Sequence, residues 1–213
     1  MAGDQGGQEV SDNKIKYLPG HYGTSKRILG RTFESFYVET PEELSAVQTC
    51  REYASRFDDA MNTGASIVLA GKTHNGKTHL AYSIAMDVVK GGRTVHYTSP
   101  IYLLKDLHPE FIALRRVTDD QISQTIEFCL NADLLVIDDV GGGPESDVCA
   151  GIIGSIIESR LRDKRPLVVV GYGTEKDLSR NIGASVLDAL KESSGPFVVC
   201  DWHIPRRRRD ASE

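Results

Sequence analysis

Residues 66–80 read Ser66-Ile67-Val68-Leu69-Ala70-Gly71-Lys72-Thr73-His74-Asn75-Gly76-Lys77-Thr78-His79-Leu80. An apolar run of strand length leads into a turn bracketed by Gly71 and Gly76, and the apolar spacing beyond it is helical. The turn matches G-x-x-x-x-G-K-T between a strand and a helix, the setting in which that pattern has a mechanism. Its glycines let the backbone curl so that successive N–H groups point at phosphate oxygens, and the helix adds its positive end. Lys77 is expected to contact the β- and γ-phosphates of ATP, and the Thr78 hydroxyl to ligate Mg²⁺. Gly71, His74, Asn75, Gly76 and His79 complete the expected cofactor-binding loop, the two histidines as its neighbours rather than as metal ligands. The plain alternative is a glycine-rich turn with an incidental lysine.

Four more apolar runs follow, Thr94–Tyr97, Leu134–Ile137, Leu167–Val170 and Phe197–Val199. The first four of the five runs are each followed by a stretch long enough for a helix, as right-handed crossovers between parallel strands require. The expected fold is α/β, a five-stranded parallel sheet flanked by helices, with no separate lid domain. The third strand ends in Asp138-Asp139. Beside a phosphate loop, Asp138 is expected to hold Mg²⁺ through water, and Asp139 to act as the catalytic base that orients the attacking water. Two adjacent acids are also what a solvated turn or a helix cap presents.

Outside this core, residues 1–30 have the composition of a flexible N-terminal arm, rich in Gly, Gln, Asp, Ser and Lys without apolar periodicity. Thr40-Pro41-Glu42-Glu43 is a capping box that predicts a helix from about 41 to 61, with Leu44, Val47, Tyr53, Ala54 and Phe57 on its inner face. Residues 31–205 form the expected core and 206–213 a tail carrying Arg206-Arg207-Arg208-Arg209, solvated or weakly binding nucleic acid.

The 213 residues are 40% hydrophobic, enough for a real core, and 25 Lys+Arg against 30 Asp+Glu give a net charge of -5. The chain is therefore no polycation, and any nucleic-acid surface is a local patch. No stretch approaches the roughly 18 apolar residues of a membrane span, so no membrane contact and a cytoplasmic location are expected. Cys50, Cys129, Cys149 and Cys200 lie far apart, and four reduced thiols are expected rather than a zinc site or a disulfide framework.

Together these motifs resemble the AAA+ ATPases of the DnaC-type helicase-loader and IstB transposition-helper group. The likeness runs from about 31 to 205, through Arg31-Thr32-Phe33-Glu34-Ser35-Phe36, the phosphate loop with Thr78-His79-Leu80, Asp138-Asp139-Val140-Gly141 and the closing Val198-Val199-Cys200-Asp201-Trp202. It implies a P-loop NTPase with an AAA+ core that hydrolyses ATP and assembles as a homo-oligomer. It also implies a hexameric replicative helicase and single-stranded DNA as partners, or a transposase and duplex DNA for a transposition helper. It implies as well a polar residue after the fourth strand, for which Gly171-Tyr172-Gly173-Thr174 offers Thr174 or Tyr172 as the cofactor contact. Such proteins usually carry two arginines in the segment matching 183–190, one acting across a subunit interface and one sensing nucleotide; Ser185 and Ala189 stand there instead. An arginine finger is worth about 10³ to 10⁵ in rate, so slow hydrolysis, or a non-hydrolysing adaptor, is the expectation unless Arg180 or a partner's arginine substitutes. Thirty flexible residues are not expected to replace, as a fold, the helical N-terminal domain common in the group.

Charge is placed unevenly. Lys90, Lys105, Arg115 and Arg116 concentrate positive charge just before residues 117–147, which hold eight acids and no Lys or Arg. By the resemblance, the first stretch would contact single-stranded DNA, where positive charge supplies affinity. A solvated amphipathic helix with Ile101, Tyr102, Leu103 and Leu104 as its core face accounts for it equally.

Overall fold

The computed structural model describes residues 30–108, 112–113, 118–142 and 147–202. Five strands, β1 (Ile67–Gly71), β2 (Val95–Thr98), β3 (Leu134–Val140), β4 (Leu167–Tyr172) and β5 (Phe197–Cys200), make one sheet in the order β2-β3-β4-β1-β5. All four pairings are parallel. Strands buried on both faces need continuous apolar sequence, and β1, β2 and most of β3 and β4 are buried residue after residue.

Helices α1 (Pro41–Ser55), α2 (Phe57–Thr63) and α3 (Lys77–Lys90) pack on one face, where Leu69, Val136, Val168 and Val198 meet Leu80 and Ile84. On the other face lie α4 (Pro100–Leu107), α5 (Asp119–Asn131), α6 (Asp147–Arg162), α7 (Glu175–Ile182) and α8 (Ala184–Glu192), against Val68, Leu135, Ile137 and Val169. All four cysteines are free thiols. No described helix is long and apolar enough to cross a membrane. The arm expected over 1–30, but for Gly30, and the Arg206–Arg209 tail lie outside the described residues.

The helix expected over 41–61 is two helices. Arg56 leaves helical angles (φ -107°, ψ 29°), and the chain restarts at Phe57, whose ring meets Tyr53 edge-on at 6.3 Å. The predicted inner face also shifts, because the capping-box carboxylate of Glu43 turns inward and accepts the Glu39 and Thr40 amides at 2.6 and 3.1 Å. The buried stripe therefore runs Glu43, Ala46, Val47, Cys50, Tyr53, Ala54, while Leu44 is 46% exposed.

Arg160 of α6 is wholly buried, and among the described residues no carboxylate meets its guanidinium. It donates instead to the carbonyls of Cys129, Leu130 and Ala132 at 2.9–3.2 Å, and of Asp133 and Pro166 at 3.2 and 2.8 Å. These carbonyls close α5 and lead into β3 and β4, so one side chain fixes where two central strands begin. Burial pulls the group down to about 10, still protonated at neutral pH. Arg160→Met would leave those acceptors without their donor, each unmet buried group costing roughly 1–3 kcal/mol. The expected result is a loss of at least ~3 kcal/mol in chemical denaturation. An unchanged unfolding midpoint would show that water meets the carbonyls as well.

Candidate nucleotide site

Every element that reaches this site does so at the end of the sheet where the strands finish. β1 ends at Gly71, whose φ of 142° and close approach to its neighbour exclude a side chain: an added Cβ would stand 2.1 Å from the Cys200 carbonyl oxygen. His74 and Gly76 take left-handed φ of 66° and 76°, so the loop curls back before α3 begins at Lys77. The side chain of Asn75 is buried and bonds the carbonyls of Cys200 and Trp202 at 2.9 and 3.0 Å. It fastens the loop to the end of β5, and only the Asn75 backbone is left to face a phosphate. Trp202 is buried there.

Lys77 is buried, its Nζ donating to the carbonyls of Gly71 and Lys72 at 2.9 and 2.5 Å. The ammonium also lies 5.0 Å above the Tyr172 ring. Burial lowers its pKa, opposed by the negative charge of Asp138 and Asp139.

In a regular strand, successive side chains point to opposite faces. β3 departs from this: its register with β4 passes from Ile137↔Val169 to Val140↔Gly171, an extra residue, and Asp139 has φ 71°. The left-handed angle is one that Asp tolerates better than most residues. Both carboxylates consequently act on Lys77. Asp138 is 6% exposed; its Oδ1 accepts from the Thr78 hydroxyl at 3.2 Å and the Asp139 amide at 2.9 Å, its Oδ2 from the Tyr97 hydroxyl at 2.6 Å. Burial raises the Asp138 pKa, and the Tyr97 and Thr78 hydrogen bonds oppose it. Burial and the adjacent anion hold the Tyr97 phenol protonated, so it is the donor.

Tyr172, at the end of β4, also feels Asp139, which adds to burial in raising its phenol. Of the two residues offered near the end of the fourth strand, Tyr172 is the one beside Lys77 and Asp139. Thr174 is the N-cap of α7: its hydroxyl meets Asp177 Oδ2 at 2.8 Å and accepts the Asp177 amide at 3.4 Å. These contacts turn the Thr174 hydroxyl toward the first turn of α7. His79 likewise turns aside, its Nε2 lying 2.8 Å from the Thr32 carbonyl and 3.2 Å from the Ser35 hydroxyl. Phe36 meets the His79 ring at 5.1 Å and covers Gly76, where an added Cβ would come within 2.5 Å of it. Phe33 is buried in the core beneath the Arg51 guanidinium.

The residues fit ATP with Mg²⁺. A hard cation takes oxygen ligands and is commonly held by one or two protein groups plus phosphates; Thr78 and Asp138 supply two such oxygens side by side. No group of three or more His, Cys, Asp or Glu among the described residues forms a metal cluster of another kind. Lys77, the loop amides and the start of α3 form the cationic side.

The basic residues separate. Lys90 closes α3 and pairs with Asp87 at 2.8 Å, and Arg93 pairs with Asp58 at 2.6 Å. Lys105 is on α4, across the sheet, with its Nζ 4.8 Å from the Tyr102 ring. Lys90 and Lys105 therefore belong to helices on opposite faces of the sheet. Arg115 and Arg116 lie outside the described residues.

Sequence comparison agrees with this geometry: the family described as IstB-like ATP binding protein matches residues 30–183. The chain belongs to that family. IstB-like membership is joined by likeness to the replicative helicase loader DnaC of Escherichia coli (strain K12), 27% identical over 182 residues, covering 85% of this chain and 71% of DnaC. The crystal structure of the DnaC helicase loader superposes with a TM-score of 0.69 at 21% identity, over 82% of this chain and 99% of that one. That of DnaI gives 0.68 at 15%, over 84% and 95%. The fold of this IstB-like chain is that of the P-loop AAA+ proteins.

Lys77→Ala is expected to abolish tight ATP binding while leaving the fold intact by circular dichroism, since it removes charge from the phosphate side and little core. Asp139→Asn is expected to slow hydrolysis at least tenfold with ATP affinity kept, as calorimetry and phosphate release would record together. Equal losses of both would make Asp139 a metal ligand instead.

Proposed function

We propose that this chain is an ATP-binding AAA+ protein that acts like DnaC, helping to place a hexameric replicative helicase on single-stranded DNA. The observation that carries the nucleotide part is the Thr78–Asp138 contact at 3.2 Å beside Lys77. Likeness to a named replicative helicase loader across 85% of the chain supports the rest. In the proposed reaction Lys77 and the loop amides bind the phosphates, Thr78 and Asp138 hold Mg²⁺, and Asp139 orients the water. Held by Thr78 and Asp138, Mg²⁺ would supply charge neutralisation at the phosphates. Lys105, with Tyr102 beside it, and Arg115 and Arg116 are the proposed DNA contacts, the cation for phosphate and the ring for a base. Self-assembly through the nucleotide sites is part of the same proposal.

The two missing arginines favour a second reading, a slow or non-hydrolysing ATP-dependent adaptor. Ser185 is exposed and Ala189 half-buried on α8, while Arg180 stays on α7, 3.7 Å from Asp177. The charge that develops on a transferred phosphoryl group then lacks its usual clamp. The expected outcome is Mg²⁺-dependent ATP binding with very slow turnover by the isolated protein, raised at least tenfold by Ser185→Arg if subunits assemble. Brisk wild-type hydrolysis lost on Arg180→Ala would show that the finger has shifted along the chain. Capture of a hexameric helicase in the presence of ATP supports the loader; capture of a transposase in its place would favour a transposition helper. Replacing Lys105, Arg115 and Arg116 by Ala is expected to weaken single-strand binding at every sequence and flatten its salt dependence.

A further inference from the structure

We propose that Tyr97 is a positioning residue that sets how well the site holds Mg²⁺ by fixing the orientation of the Asp138 carboxylate. The inference rests on the nucleotide reading above and adds a residue that the loop and strand motifs do not include.

Tyr97 is in β2, at the edge of the sheet and paired with β3 in the register Tyr97↔Val136. Its ring is 4% exposed and packs edge-on against Tyr82 of α3 at 6.4 Å. Packing alone does not call for a hydroxyl there, since phenylalanine would fill the same space, and a buried hydroxyl is costly unless bonded. The hydroxyl is bonded to Asp138 Oδ2, at 2.6 Å.

The two carboxylate oxygens are thereby given different tasks. Oδ2 is taken by the phenol, and Oδ1 stands by Thr78 and the Asp139 amide. Rotation about the last torsion of an aspartate is soft and roughly two-fold, so the carboxylate on its own would swing widely. A short bond from a rigid, buried ring removes that freedom and keeps Oδ1 beside the Thr78 hydroxyl. Tyr97 acts through Asp138 and is not itself a ligand.

The experiment titrates the full-length protein with ATP in EDTA and in Mg²⁺, and reads the ratio of the two affinities. Tyr97→Phe should keep the metal-free affinity within about twofold and lower the Mg²⁺ enhancement about tenfold, the weight of one charge-assisted hydrogen bond. Asp138→Asn should remove the enhancement, with Tyr97→Phe adding nothing further in that background. Tyr82→Phe should retain the wild-type ratio. An unchanged ratio in Tyr97→Phe, an equal fall in both affinities, or a further loss on top of Asp138→Asn would overturn the role of Tyr97. A wild type that does not bind ATP, or an Asp138→Asn variant with its enhancement intact, would overturn the nucleotide reading itself, and this inference with it.

Discussion

The carboxylate of Asp138 joins three elements that sheet pairing alone would leave loosely related. A buried anion must be met by donors, and the donors here come from β2 through Tyr97, from α3 through Thr78 and from the next residue of β3 itself. Meeting that demand fixes the first turn of α3 against the end of β3. The phosphate loop, which opens that turn, is placed by the same contacts. The bulge in β3 follows from the arrangement, since without it Asp139 would face the opposite side of the sheet from Asp138.

Much of this was legible in the sequence. Apolar runs bounded by glycine, with helical spacing between them, gave five strands and their parallel sense, and G-x-x-x-x-G-K-T gave the loop. The break at Arg56 was not legible, because apolar periodicity passes through it unaltered and only the backbone angle marks it. Thr174 stood as a cofactor contact because the resemblance calls for a polar residue after the fourth strand, and a threonine there also suits a helix cap. Asp177 three residues on was the signal for the cap.

Other parts were written in residues that look ordinary from the sequence. Tyr97 sits in an apolar run like any strand aromatic, and its importance emerges once β2 is known to lie beside β3. Arg160 reads as a polar residue near the end of a helix, where a basic side chain is common. Only the convergence of two chain segments, 129–133 and Pro166, on its guanidinium shows that it belongs inside.

The hold that Asn75 has on the carbonyls of Cys200 and Trp202 bears on how the protein is handled. β5 is an edge strand paired with β1 alone, so the end of the described chain is stitched to the nucleotide loop by a side chain as well as by a strand. Trimming the chain back past Trp202 would take away both an acceptor that holds the loop in shape and a buried aromatic of the core, so loop and core would loosen together. A reporter group joined just beyond Trp202 would begin its linker one side chain away from the phosphate loop.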